Sequence, residues 1–505
     1  MNKNKVLSVS PAFIWGSLSF LIVFIGIITF YLPAPWLLVV LAICFGSVAL
    51  IFLLQYPELM VYLLIIFVPV EEFLEKWIPR GVFYEGVRFG GEVVLIFFMG
   101  VVLLSKTKPN AHWYKTPIDM PLLVFLLVFL TSAVVNATSP LAALLGVRPL
   151  VRYILVFYIL IQLRVTKQFF EKTFFLTVFM ASLVSVIGLM QTVIGERLTN
   201  FLLPGDVVVG GVAARSGIRH LISSRTYIFS TMGRYDTLGV FLMFVLLIAI
   251  GGYMGGGRKQ KRRIIPFFLV GFPALILTFS RQSWVGLVLG IGVMTLISRW
   301  KDLQRVRFVY MLSLIIIPIV VLLAIPYAQY FGTAGSVDAS VIERMLEPLS
   351  QRYFEVSRYS YGRLFVIFDV GTRLLNKAPL VGFGPGQFGS LTARFFNVPY
   401  WEFVNIPENS AHFINDVNWI VILGQFGVLG TLSFLWMFFN LFFASRKRYL
   451  MMPKGVAKGI ILAYSASIII YILIGFLGPN FEVRQISFYM WLWGGLIMGM
   501  TVKKT

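Results

Sequence analysis

GRYDTLGVFLMFVLLIAIGGYMGGGRKQKRRIIPFFLVGFPALILTFSRQSWVGLVLGIGVMTLIS, residues 233–298, holds three apolar runs at 236–254, 264–279 and 282–298. The first two are divided by the basic hexapeptide RKQKRR (258–263), the last two by a short turn at Arg281. Each run comes close to the roughly 20 residues an α-helix needs to cross a hydrocarbon core.

The pattern continues in both directions. Further apolar runs lie near 13–32, 36–54, 58–70, 89–105, 118–135, 149–163, 169–194, 308–327, 416–444, 455–477 and 484–502. Of the 505 residues, 58% are hydrophobic and 13% charged, whereas a soluble domain carries about 25% charged residues. These features predict an all-α polytopic membrane protein with about 12–14 transmembrane helices. The first run follows MNKNKVLSVSP without a small-residue cleavage site and reads as a helix, not a removed leader. The runs at 58–70 and 149–163 are short, which suits tilted, half-buried or re-entrant segments. The chain divides into an N-terminal bundle (1–194), an Arg-rich outer loop (195–235), central helices (236–327), a large extracytoplasmic helical loop (328–415) and C-terminal helices (416–505).

Charge sets the orientation. The N-tail, 106–115, 164–172, 258–263, 299–307, 446–458 and the C-tail hold 15 of the 17 lysines, which makes that side cytoplasmic, both termini included. The net charge of +22 thus reports topology rather than nucleic-acid binding. Arginine sorts differently, with 9 inside and 17 outside. Its planar fork binds phosphate and carboxylate in bidentate fashion, so an Arg-rich outer face suits an anionic ligand. The plainer account is pairing with the outer acids. That account covers the 195–235 loop less well, where Arg197, Arg215, Arg219, Arg225 and Arg234 face Glu196 and Asp206. One cysteine (Cys44) and three scattered histidines (His112, His220, His412) offer neither a disulfide framework nor a metal cluster. No cofactor is expected, and the chemistry is expected to be metal-independent.

Four constellations stand at outer span ends. In TFSRQSW (278–284), Arg281 either snorkels to headgroups or binds a phosphate in an outward cavity. In GRYD (233–236), Asp236 satisfies a helix N-terminus, a role that does not explain Arg234. NKAPLVGFGPGQFGS (376–390) follows Arg363 and Arg373. Its Gly382, Gly384 and Gly386 allow a tight turn and close approach to a ligand, or simply an ordinary turn. ENSAHFINDVNWIVILGQFGVLG (408–430) runs polar residues into a span. Asn415 reads as a helix cap. Asp416 is either a cap or, with His412 four residues earlier on the same helical face, a general base. Within the long loop, 341–356 and 362–380 show apolar residues at helical spacing, fitting amphipathic helices on the outer bilayer surface.

In order, these pieces resemble the O-antigen ligase and O-antigen polymerase superfamily over roughly residues 220–445. TFSRQSW is similar to the family's arginine turn. GRLFVIFDVGTRLLNKAPLVGFGPGQF is similar to its Arg-containing helix and glycine stretch, and DVNWIVILGQFGVLG to its final motif helix. Two positions depart. Gln282 stands where the family has glycine, and counting back from Gly427 reaches Asp416 where a histidine is usual, one turn past His412. The resemblance implies a membrane glycosyltransferase at the outer face of the bacterial cytoplasmic membrane. The donor would be a glycan on a polyprenyl pyrophosphate and the acceptor a glycan or glycolipid, among membrane lipids and other polysaccharide assembly proteins. Arg281, Arg363, Arg234 and Arg225 would hold the pyrophosphate, and His412 or Asp416 would take the acceptor's proton. The product would be a polymerised repeat unit or an O-antigen joined to a lipid-A core. A lipid-linked oligosaccharide flippase is the rival reading. Against it stand the absence of repeated halves and the ninety-residue outer loop.

Overall fold

The computed structural model describes residues 56–78, 82–105, 112–163, 165–203, 208–209, 212–213, 227–298, 351–359 and 361–500. The expected spans at 13–32, 36–54 and 308–327, and Arg225, lie outside them. The first half comprises α1 (Pro57–Phe67), α2 (Glu71–Glu75), α3 (Val82–Ser105), α4 (Asp119–Val135), α5 (Pro140–Val151), α6 (Ile154–Leu163), α7 (Lys167–Ile194) and α8 (Glu196–Leu202). A two-residue antiparallel pairing, Val208–Val209 with Val212–Ala213, follows. Next come α9 (Tyr235–Gly255), α10 (Arg258–Leu277) and α11 (Arg281–Ile297). The last part holds α12 (Gln351–Tyr359), α13 (Arg363–Phe365), α14 (Gly371–Lys377), α15 (Leu391–Phe395), α16 (Tyr400–Phe403), α17 (Asn418–Met451), α18 (Val456–Ile474) and α19 (Arg484–Gly499).

The fold is all-α and membrane-spanning. Among the described residues four helices, α7, α9, α17 and α18, have the length and apolarity to cross a bilayer. The pair α5–α6 qualifies as one span broken by a 54° bend, so the run expected at 149–163 is the second limb of a broken helix. Arg152 and Tyr153 sit at the break. RKQKRR, expected as a loop, forms the opening of α10, because Lys, Arg and Gln are good helix formers and the chain turns one step earlier, at Gly256 and Gly257.

Two large cores, and a small cluster around Leu202 and Phe229, organise the described residues. The larger joins α9, α17, α18 and α19 with α6 and α7, and is rich in buried aromatics such as Trp491, Trp493, Tyr464 and Tyr489. The smaller lies within 366–421 and unites Val366, Val370, Leu374, Phe388, Tyr400, Ile414 and Val417. It makes the segment expected as an outer loop a packed helical subdomain. Within it α13 passes through a π-helical stretch (Val366–Val370) into α14, as the periodicity over 362–380 predicts. The start of the amphipathic pattern expected over 341–356 falls outside the described residues.

The chain reverses between α9 and α10, between α10 and α11, and between α18 and α19, which sets the site. The N-termini of α9, α11, α17 and α19 and the C-termini of α10 and α18 lie at one end of the bundle. None of those four N-termini has a side-chain cap.

Candidate functional site

At that end the segment before α9 is pinned on three sides. Gln191 Oε1 accepts from the backbone of Phe229 (3.1 Å) and Ser230 (2.7 Å). Ser230 Oγ donates to Val184 O at 2.7 Å, and Thr231 Oγ1 to Pro69 O at 2.8 Å. Ile228 N reaches Leu277 O at 3.2 Å, joining this segment to the arginine turn. Tyr227 bridges the two, with its ring 4.9 Å from Tyr235 and 5.4 Å from Phe279. The turn is closed by the Ser280 and Ser283 hydroxyls, 2.7 Å apart. Trp284 Nε1 also donates to Leu275 O at 2.9 Å. Arg234 and the half-buried Arg281 therefore open two adjacent helices.

Arg234 clasps Asp236 through Nε (3.0 Å) and Nη2 (2.8 Å). Asp236 also accepts from Thr237 N at 2.9 Å, the N-terminal role expected of it. The Arg234 side chain remains 45% exposed. The Asp236 carboxylate holds its guanidinium protonated well above the usual range, against the opposing effect of burial, and Asp416 adds a smaller push in the same direction. Asp416 itself accepts from Arg363 Nη2 at 3.2 Å. The structure thus brings Arg234, Asp236, Arg363 and Asp416 together beside the Arg281 turn. The plainer expectation, arginine paired with outer acids, holds for Arg234 and Arg363. Arg363 keeps a buried Nε with no partner among the described residues. Arg373 serves structure, since its Nη1 donates to Val404 O (2.7 Å) and Asn405 O (2.8 Å).

The caps expected at 415–416 are not made. α17 starts after Val417 with no side-chain cap. Asn415 instead lies between the Gly389 carbonyl and the Arg394 guanidinium, and Asp416 is drawn to Arg363. Residues Glu408–Asp416 form a 3₁₀ run, where residues three apart, not four, eclipse, so the α-helical spacing argument does not carry over. The His412 side chain lies outside the described part of the structure.

The glycine stretch does make the close approach its sequence predicts, but to the protein's own backbone. At Gly382 (φ +71°) a Cβ would lie 2.6 Å from Gly424 O, and at Gly386 (φ +71°) 2.6 Å from Ala142 O. α17 breaks at Gly427 (φ 63°). The freed N–H groups of Val428 and Leu429 donate to Pro379 O (2.8 Å) and Leu380 O (3.2 Å). In return, Phe383 N and Gly384 N donate to Gly424 O (2.8 Å) and Gln425 O (3.2 Å). Gln425 Oε1 closes the clasp on Gly386 N at 2.6 Å.

Sequence reasoning missed a second polar group under the same end. Arg148 and Arg152 both bind Glu92, and Arg484 binds Glu71 and Glu75. Arg152 Nη2 donates to Glu482 O at 2.8 Å. RPLVR (148–152) entering an apolar run was the available signal, since ionisable residues within spans are rare without a purpose. Among the described residues no group of three or more His, Cys, Asp or Glu could hold a metal ion.

Apolar helices with paired arginines and acids gathered at their mouths define a polytopic membrane protein with a polar site at one end of its bundle. Residues 266–435 match the family model described as O-Antigen ligase. The resemblance to the O-antigen ligase and polymerase superfamily read from the motifs therefore stands, on a stretch inside the expected 220–445. No curated protein matches the chain.

Proposed function

We propose that the protein transfers a glycan from a polyprenyl pyrophosphate donor to an acceptor glycan at the outer face of the bacterial cytoplasmic membrane. It would act as a repeat-unit polymerase, or as a ligase onto a lipid-A core. The observation that carries this is the placement of Arg234, Arg281 and Arg363 around one mouth, built on helices that open there uncapped. Uncapped N-termini and guanidinium groups both favour an anion. In the transfer, the acceptor oxygen bonds to the anomeric carbon as the bond to the pyrophosphate oxygen breaks. Charge then grows on the leaving group, where preorganised donors stabilise it. To bind the pyrophosphate, Arg234 and Arg363 would use donor atoms left over from their aspartates, with Arg225 assisting. His412 or Asp416 would take the acceptor's proton. A single displacement without a covalent intermediate is part of the proposal, and so is metal independence.

The test uses purified protein in nanodiscs, polyprenyl-pyrophosphate-linked glycan and a chelator. Wild type is expected to transfer or extend the glycan and Arg281→Ala to lose that activity. His412→Ala and Asp416→Asn then separate the two candidate bases. Folded wild type that moves lipid-linked glycan across a bilayer without any transfer product would replace this reading with a flippase.

A further inference from the structure

The loop between α18 and α19, residues 475–483, is tied to both halves of the candidate site. Asn480 Nδ2 donates to Ile474 O at 2.7 Å and lies 3.3 Å from Gln282 Oε1, the residue next to Arg281. Phe481 N donates to Asn418 Oδ1 at 2.8 Å, two residues beyond Asp416. The Phe481 ring is buried against Trp419 (4.9 Å), Tyr471 (5.0 Å) and Phe438 (5.7 Å). An aromatic anchor of this kind fixes the next residue, Glu482, in place.

Glu482 is unlike the other recessed acids. Asp236, Asp416, Glu71, Glu75 and Glu92 each pair with an arginine. The Glu482 carboxylate has no hydrogen-bond or ion-pair partner among the described residues, although Arg152 holds its backbone carbonyl. Three buried donors around the same loop also lack partners among the described residues: Arg152 Nε, Asn418 Nδ2 and Gln485 Nε2. Buried polar groups are ordinarily satisfied, so a cluster of unmatched donors beside an unmatched acceptor marks a place where polar groups from outside the chain complete the bonding. Sugar hydroxyls, each both donor and acceptor, have that chemistry.

We propose that Glu482 is an acceptor-binding residue: its carboxylate receives hydrogen bonds from hydroxyl groups of the incoming glycan and holds that glycan against the pyrophosphate-binding arginines. This rests on the glycan-transfer reading and adds a subsite to it. The arginine end would take the donor's charge, and the 475–483 loop the neutral acceptor. Burial pushes the Glu482 carboxyl up to about 7, with Arg152 opposing. The charged group acting on it is Arg152 at the α5–α6 break, which in turn pairs with Glu92 on α3 and feels Arg484 on α19 and Arg148 on α5.

The experiment measures transfer in nanodiscs with polyprenyl-pyrophosphate-linked oligosaccharide as donor. The acceptor is the same oligosaccharide released from its lipid by mild acid. Glu482→Gln keeps shape and removes charge. It is expected to raise the acceptor KM about tenfold, as loss of one charge-assisted hydrogen bond does, and to leave the donor KM unchanged. The wild-type acceptor KM should fall as pH rises from 6 to 8, while that of the variant stays flat. An unchanged donor KM in the variant shows that it is folded. Wild-type transfer with an unaltered acceptor KM in Glu482→Gln, or with both KM values raised alike, overturns the subsite and leaves the transfer function standing. Folded wild type with no transfer overturns both.

Discussion

Val428 N donates to Pro379 O at 2.8 Å, a bond between the glycine stretch and the helix after Asp416, nearly fifty residues apart. It exists because Gly427 leaves the helical conformation and frees the next two N–H groups from their own turn. The glycine stretch and the motif helix are thus two halves of one clasp, which orients the 366–421 subdomain over the bundle. Gly427→Ala would force an L-residue to φ 63° with its Cβ against the Leu380 carbonyl. Strain of about 1–2 kcal/mol and overpacking of about 1–3 kcal/mol should add. The expected result is a lower melting temperature in detergent together with loss of transfer, read by thermal unfolding and by the transfer assay.

The arginines of the site differ in what they have left to offer. Arg234 spends Nε and Nη2 on Asp236, so only its remaining donors can reach a ligand. Arg234→Lys keeps the charge but loses the fork. Transfer kcat/KM is expected to fall by about 10²-fold, the order seen when one preorganised donor is removed, with little change in stability. A variant within threefold of wild type would assign Arg234 to structure alone.

Much of this was readable in the sequence, and its failures have identifiable causes. The all-α membrane fold followed from apolar run lengths, because a bilayer demands continuous helices. Arg234 was singled out because the helix-start role that suits Asp236 does not explain it, and Arg363, within the long loop, through the family resemblance. Their pairing with Asp236 and Asp416 is a tertiary fact that spacing could not supply. Asn415 looked like a cap because Asn favours helix starts. In the fold Arg394 and the Gly389 carbonyl compete for its amide and win. The glycines of 382–386 signalled close approach without saying to what. Glu482 stood in no motif, and its character depends on what 475–483 touches, hundreds of residues away in Arg152 and Gln282.

Arg484 sits between Glu71 and Glu75, all three largely buried at 15%, 6% and 9% exposure. Arg484→Ala leaves two buried carboxylates without their cation, a change that typically costs about 3–5 kcal/mol. Expression and melting temperature should both drop sharply. Adding Glu71→Gln and Glu75→Gln to the same protein should restore most of the loss, since the uncompensated charge is then gone. Failure of the triple variant to recover would mean that Arg484 acts by packing and not by charge.

The raised proton affinity of Glu482 also has a consequence for stability. An unfolded glutamate titrates near 4.3, and burial moves Glu482 up to about 7 in the folded protein. The folded state binds the proton more tightly, so this residue's contribution is fully present below the unfolded value and is lost as pH rises through about 7. Wild type should therefore lose stability between about pH 5 and 8 relative to Glu482→Gln, which carries no such proton. The two melting temperatures should lie close together at pH 5, with the variant several degrees higher at pH 8, by thermal unfolding in the same detergent. A more stable protein that binds acceptor less well is the trade expected where a site keeps an unpaired charge for its ligand. Parallel melting curves across that range would mean that the Glu482 carboxylate is already solvated in the folded protein, with no proton held back for folding or for the glycan.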